Sequence, residues 1–265
     1  MGLPMSDSVA YDVTEGVGTI TLNRPEAMNS LDSATKAALR DAAREAAGDD
    51  SVRVIVVRGT GRAFCVGQDL KEHAASLAAG QGLADTVREH YNPLLRALVT
   101  APKPVLAAVN GVAAGAGAAL AFAADLRIAS DKAAFNLAFA NIGLTADSGA
   151  SWTLPRLVGP AKALELLMLP ETIGIEQAAE LGLVHRVVPA EELDATVGEL
   201  AARMAAGPTA AYAAIKQAVG FGLAHTLDET LDLEAELQDA CAATEDHRNA
   251  VRAFLAKEKP AFVGR

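Results

Sequence analysis

"RVIVVRGTGRAFCVGQDL", residues 53–70, is the stretch that decides the fold. Its first seven residues carry a near-continuous apolar run rich in β-branched side chains. A strand with one wet face alternates apolar and polar residues. A continuous run belongs to a strand covered on both faces, as in a parallel sheet. A small-residue turn follows. Gly67 permits close backbone approach there, and the N–H of Gln68 is free to point at a ligand. Asp69 gives the same residues a plainer reading, as the N-cap of the next helix.

Working outward, strand and helix signals alternate. Residues 9–14 (VAYDVT) and 17–23 (VGTITLN) read as a hairpin turning at Glu15-Gly16. Residues 33–47 read as a helix that starts at Asp32 or Ser33 and stops near Gly48. PVLAAVNG, residues 104–111, is a second buried strand, leading into an Ala/Gly helix at 115–124. DLRIAS (125–130) and AAFNL (133–137) read as short strands, and a helix is expected at 148–158. This alternation predicts an α/β fold of ββα-type units with a partly parallel sheet. Beyond residue 159 helices dominate, at 160–168, 175–181, 190–206, 208–222, 226–242 and 244–257, with one strand at 183–189. Thr226 and Glu229 have the spacing of a capping box. No Pro/Ser-rich linker intervenes, so the helical region is expected to pack on the first.

Composition narrows the function. The chain has 265 residues, 51% hydrophobic and 4% aromatic, with a formal net charge of −10. An acidic chain lacks the basic face of a general nucleic-acid binder. Two cysteines, Cys65 and Cys241, make no disulfide framework or metal spacing, which predicts a reduced, cytoplasmic setting. The histidines form no HExxH pattern, and no metal site is expected. No basic region precedes an apolar run at the start, so no signal peptide is read there. The opening MGLPMS matches the short myristoylation pattern at Gly2 and Ser6, a match that chance readily produces, and Met5 is an alternative start. Val105 to Ala124 carries no charge over about the length of a membrane span. Its glycines, Asn110 and Ala-rich composition instead predict strand, turn and buried helix, with no membrane partner.

Three places can carry chemistry. One is the turn at 61–70. Another is NGVAAGAGAAL, residues 110–120, where the first N–H groups of a helix lack intrahelical partners and favour negative charge. Its G-x-G at 115–117 lacks the spacing of a dinucleotide fingerprint. Two such turns can together supply an N–H pair for a developing oxyanion. The third is Asp147 in NIGLTADSGASW, residues 141–152. It reads either as a helix cap or as an acid–base group beside that pair. Cys65 reads as packing, Asp125 as structural. No G-x-S-x-G nucleophile is present.

LNRPEAMNSL (22–31), GRAFCVGQDL (61–70), PKPVLAAVNGVAAGAGAAL (102–120), IGLTADSGASWTLPRLVG (142–159), AAELGLVHRVV (178–188) and AFLAKEKPAFVGR (253–265) resemble, in that order, the crotonase or enoyl-CoA hydratase/isomerase superfamily. The resemblance runs from about residue 9 to the end. It implies a crotonase-like spiral of ββα units over residues 1–200 and a C-terminal helical trimerisation region over 201–265. It further implies acyl-CoA thioester substrates, no permanently bound cofactor, and a homotrimer or dimer of trimers in the cytoplasm. By motif position the oxyanion donors are the N–H groups of Gln68 and Ala116, and the catalytic residue is Asp147. Substrate and CoA contacts fall to Arg24, Ala27, Met28, Ala63, Val66, Asp69, Leu70, Gly115, Phe139 and Leu144. Lys257 and Lys259 fall at the nucleotide end, reaching a neighbouring subunit. Residues 71–90 read as a loop shaping the acyl pocket.

The departures from the family pattern narrow the chemistry. Hydratases carry two glutamates, whose positions here are Ala119 and Phe139. Asp147 matches the aspartate of the branch that isomerises epoxyphenylacetyl-CoA in phenylacetate degradation and shifts 3-enoyl-CoA to 2-enoyl-CoA. The reading is therefore an acyl-CoA isomerase. The alternatives are a hydratase working with one carboxylate, and, further off, a 4-chlorobenzoyl-CoA dehalogenase-like hydrolase. The dehalogenases' Trp position is Phe139 here, and their His position falls near Asn92, two residues from His90.

Overall fold

The structure, a computed structural model, describes residues 8–80 and 82–265. The Gly2/Ser6 pattern lies outside the described residues. The elements begin with β1 (Val9–Thr14), β2 (Val17–Leu22), α1 (Ser33–Gly48), β3 (Val54–Gly59) and β4 (Ala63–Cys65). Next come α2 (Leu70–Ala78), α3 (Leu83–Thr86), a π-helical turn at Val87–Tyr91 and α4 (Asn92–Val99). β5 (Val105–Val109), β6 (Val112–Ala114), α5 (Ala116–Ala123), β7 (Leu126–Ser130) and β8 (Ala134–Asn136) follow. The remainder is α6 (Ala150–Val158), α7 (Pro160–Met168), β9 (Ile173–Gly174), α8 (Ile175–Glu180), β10 (Arg186–Val188), α9 (Leu193–Ala205), α10 (Thr209–Gly222), α11 (Leu227–Ala242) and α12 (Glu245–Ala256).

Two sheets form, one of six strands in the order β1-β2-β3-β5-β7-β10 and one of four in the order β4-β6-β8-β9. β1 and β2 are the expected antiparallel hairpin, with Glu15 and Gly16 both at positive φ (50° and 79°). Two such residues give the turn the twist that hairpin strands need. From β2 onward the larger sheet is parallel, and so are β4, β6 and β8 in the smaller one.

The apolar run of β3 explains the layering. Side chains alternate faces along a strand. Ile55 and Val57 enter the main core with α1 and α4, while Val54 and Val56 enter a second cluster with Leu193, Val197 and Ala201 of α9. β5 divides in the same way, with Val105, Ala107 and Val109 on one side and Leu106 and Ala108 on the other. Each fully buried Val, Leu or Ile among them contributes about 1.5–3 kcal/mol. Thus α9 roofs the outer face of the sheet and carries the helical packing back across residue 200. The expected membrane-length stretch divides into β5, β6 and α5, and no described helix is long and apolar enough to cross a membrane.

Several starts and stops follow the sequence signals. Asp32 caps α1 through Thr35 N at 2.8 Å, and Asp69 caps α2 by accepting from Lys71 N and Glu72 N. Thr226 and Glu229 form the complete capping box on α11. Asp125 is structural: it accepts from Val105 N at 2.8 Å and pairs with Lys216 of α10 at 2.9 Å. The segment read as a loop at 71–90 is instead largely helical, built of α2, α3 and most of the π-helical turn. Its mixed polar and small residues carry no clear period, and the main core supplies the order through Val87 and Tyr91.

Candidate active site

The first turn is set by β4, whose residues are all buried. After Cys65 the chain turns through Gly67 at φ +81°. A Cβ there would stand 2.8 Å from Ala114 O and 3.1 Å from Ala116 N, so the two glycine turns lie against each other. The Gly67 carbonyl accepts from Leu31 N at 2.8 Å. In a planar trans peptide the following N–H points the opposite way. The Gln68 N–H therefore points away from Leu31, and it has no hydrogen-bond partner among the described residues.

The second turn is held by α5. Every residue of that helix is buried, because it runs through the main core with no wet face. Gly117 lets it approach β4: a Cβ there would lie 2.0 Å from Cys65 O. The helix starts after Gly115, at φ 51°, with no side-chain cap. The Ala116 N–H therefore projects from the positive end of the helix with no described partner.

Gln68, Gly115, Ala116 and Asp147 all line one cleft of about 680 Å³, a volume suited to a small organic ligand. Of the residues expected at the site, Arg24, Ala27, Val66, Asp69, Leu70, Phe139 and Leu144 also line it. Met28, Ala63, Lys257 and Lys259 do not. Met28 ends a single 3-10 turn in a left-handed conformation, Ala63 is sealed within β4, and the two lysines stand exposed after α12. The segment 71–90 contributes Lys71, His73, Leu83, Thr86 and Val87.

Asp147 is not a helix cap. α6 begins after Gly149 with no side-chain hydrogen bond at its N-terminus. The Asp147 carboxylate instead accepts from the Ser148 hydroxyl at 2.9 Å. Ser148 sits at φ 50°, followed by Gly149 at 70°. A buried non-glycine residue held in that region carries local strain, a trait concentrated at functional sites. Burial pushes the Asp147 pKa above the ordinary carboxylate range, and the Ser148 hydrogen bond only partly opposes it. No described cation pairs with it.

The other acids on the cleft are committed elsewhere or exposed. Burial alone would raise the Asp69 pKa, but hydrogen bonds from Glu72 N, Ser30, Lys71 N and Arg24 bring it below the ordinary range. Arg24 in turn reaches Asp32 at 3.1 Å and Asp69 at 3.4 Å. Glu26 is exposed on the rim. The two places where a second carboxylate was sought are closed: Ala119 is fully buried in α5, and Phe139 presents an aromatic ring. Cys65 is packed in the core, and burial pushes its thiol up to about 12, so it is no nucleophile.

Sequence reading passed over Tyr91 and Lys36. The Tyr91 hydroxyl donates to Gln68 Oε1 at 2.6 Å, and Lys36 Nζ donates to the same oxygen at 3.3 Å. Residues 32 and 23 positions away from Gln68 leave no local pattern to find.

Known proteins share this fold and much of this sequence. A family model described as enoyl-CoA hydratase/isomerase matches residues 12–265. The chain is 47% identical to the probable enoyl-CoA hydratase of Rhodobacter capsulatus, over 97% of this chain and 98% of that protein. It is 42% identical to the 1,2-epoxyphenylacetyl-CoA isomerase of Escherichia coli, over 98% and 100% respectively. A crystal structure from Mycobacterium abscessus, described provisionally as an enoyl-CoA hydratase/isomerase, superposes with a TM-score of 0.94 at 46% identity, covering 97% of this chain and 100% of that one. Two glycine turns with unpartnered N–H groups, on one cleft with a carboxylate that no described cation pairs, thus occur in a chain that belongs, by fold and by sequence, to the crotonase superfamily of enoyl-CoA hydratases and isomerases.

Proposed function

We propose that the protein is an acyl-CoA isomerase acting through a thioester enolate. The observation that carries this reading is Asp147: a half-buried carboxylate with a raised pKa and no counter-ion among the described residues, on the cleft that Gln68 and Ala116 also line. The thioester oxygen sits between their two N–H groups. Asp147 removes a proton from C2, and the negative charge develops on the oxygen that the N–H groups face. The double bond moves from C3 to C2, and protonated Asp147 returns the proton at C4. One carboxylate completes this cycle, with no water added. The substrate is a 3-enoyl-CoA, an epoxyphenylacetyl-CoA, or both. Likeness to the Escherichia coli isomerase supports the second. Lys71 brings positive charge to the cleft for the anionic end of coenzyme A, with Arg24, paired to Asp32 and Asp69, beside it.

The test is turnover of 3-enoyl-CoA and epoxyphenylacetyl-CoA by the wild type and by Asp147→Asn. The substitution is expected to cost roughly 10²–10⁴ in kcat. Full retained activity would remove Asp147 from the mechanism. A second reading, enoyl-CoA hydration with the single carboxylate, draws on the 47% identity to the Rhodobacter capsulatus protein. Crotonyl-CoA hydration by the same preparation, at a rate comparable to isomerisation, would favour it.

A further inference from the structure

We propose that Tyr91 and Lys36 are positioning residues that hold the Gln68 side chain and thereby keep its backbone N–H from tilting. This rests on that N–H being an oxyanion donor.

The carboxamide oxygen of Gln68 is gripped from two sides. Tyr91 Oη donates to it at 2.6 Å, a short bond from a side chain 2% exposed. Lys36 Nζ donates at 3.3 Å, and it too is 2% exposed. Burying an ammonium is costly unless it is paired and hydrogen-bonded. Lys36 meets that condition through Glu72 Oε1 at 3.2 Å. Glu72 is held in turn by the N–H and hydroxyl of Ser33, at 2.8 and 2.9 Å. The chain of contacts ties α1, α2 and the π-helical turn to one side chain.

Tyr91 reaches this place because of local backbone geometry. It ends the π-helical turn Val87–Tyr91, and π-helical turns cluster at functional sites. The backbone of the oxyanion turn is already bracketed, with Leu31 N bonded to Gly67 O and Asp69 N to Leu31 O at 3.1 Å. The bond to Gly67 O sets the direction of the Gln68 N–H, because both lie in one peptide plane, and what the side chain can add is resistance to tilting of that plane. A side chain fixed at its far end supplies that resistance. An oxyanion donor works only when it is aimed before the charge appears.

The experiment measures aim and turnover together. The probe for aim is crotonyl-CoA labelled with ¹³C at the thioester carbon, whose bound carbonyl stretch is read by infrared difference spectroscopy. The probe for turnover is 3-enoyl-CoA isomerisation. Wild type is expected to shift the carbonyl band to lower wavenumber. Tyr91→Phe is expected to lose part of that shift and to lower kcat about tenfold or more, with KM changed less than about threefold. Gln68→Met keeps the backbone N–H and removes the gripped oxygen. It is expected to reproduce both effects, and the double variant to be no worse than either single one. If Tyr91→Phe yields no folded protein, Gln68→Met decides alone. A wild-type kcat and a wild-type band in Tyr91→Phe, or in Gln68→Met where it decides alone, would overturn the clamp. A wild type that shows no band shift would overturn the oxyanion assignment, and the clamp with it.

Discussion

Asp147 stands where a charge is poorly compensated, and this has a cost in stability as well as a use in catalysis. Burial places its pKa above that of an exposed carboxylate, about 3.9. Between the unfolded and folded values the native state holds the extra proton. Stability therefore falls as pH rises through that window, because the folded site must then carry the charge. Asp147→Asn removes the penalty while leaving an oxygen for the Ser148 hydroxyl. Its Tm at about pH 7 should exceed the wild-type value, and the gap should close in acid, where both side chains are neutral. Calorimetry over a pH series checks this, and an unchanged neutral Tm would argue that water solvates the carboxylate. The pH profile of kcat/KM should show an acid limb displaced upward from the ordinary carboxylate range, since a base must be ionised to act. That limb should track Asp147 alone, because Asp69 is held in the opposite direction. Here the sequence left two readings open, cap or acid–base. Local chemistry favours Asp as a cap, and only the path of the chain through Ser148 and Gly149 turns the carboxylate away from α6.

At the scale of elements, the two N–H turns depend on α5 lying close against β4. Gly117→Ala puts a methyl group into the Cys65 carbonyl, a backbone atom that cannot swing aside. The expected result is loss of folded protein, or of isomerase activity with substrate binding weakened, rather than a local adjustment. Thermal unfolding and acyl-CoA titration of the variant check it. Much of this level was legible beforehand. The apolar run of β3 announced a doubly covered strand, Asp32 and Thr226 announced helix starts, and the glycines of residues 110–120 announced a turn into a buried helix. The π-helical turn was not legible. Neither was the three-residue strand β4, too short to show a period and hidden in a segment that reads as a turn. The grip on Gln68 was invisible for the same reason that most long-range polar contacts are: each partner looks ordinary in its own helix.

The whole molecule ends in a helical layer that is joined to the core by few but specific contacts. Lys216 of α10 meets Asp125, and Arg53 beside β3 donates to Thr209 and to the carbonyls of Gly207 and Phe262. Asp246 of α12 accepts from the N–H groups of Val263 and Gly264, at 2.6 and 2.9 Å. The terminus is thus fastened to the sheet, while the outer helices expose apolar side chains among charged ones. Ile215, Val219, Leu223, Leu227, Leu231, Phe254 and Leu255 are exposed in the single chain. An association surface would bury such side chains. We expect a homotrimer or a dimer of trimers, checked by sedimentation equilibrium, with a stable monomer as the outcome that would refute it. Lys257 and Lys259 do not line their own chain's cleft.

The packing of α5 also bears on how this site can change over generations. Ala119 is fully buried in the main core, so acquiring a glutamate there would require the core to be rebuilt around it. Phe139 borders the cleft but is itself a buried member of the main core. A lineage starting from this chain gains an acid at either place only by repacking core side chains. Its chemistry is therefore channelled by how tightly these two positions are enclosed.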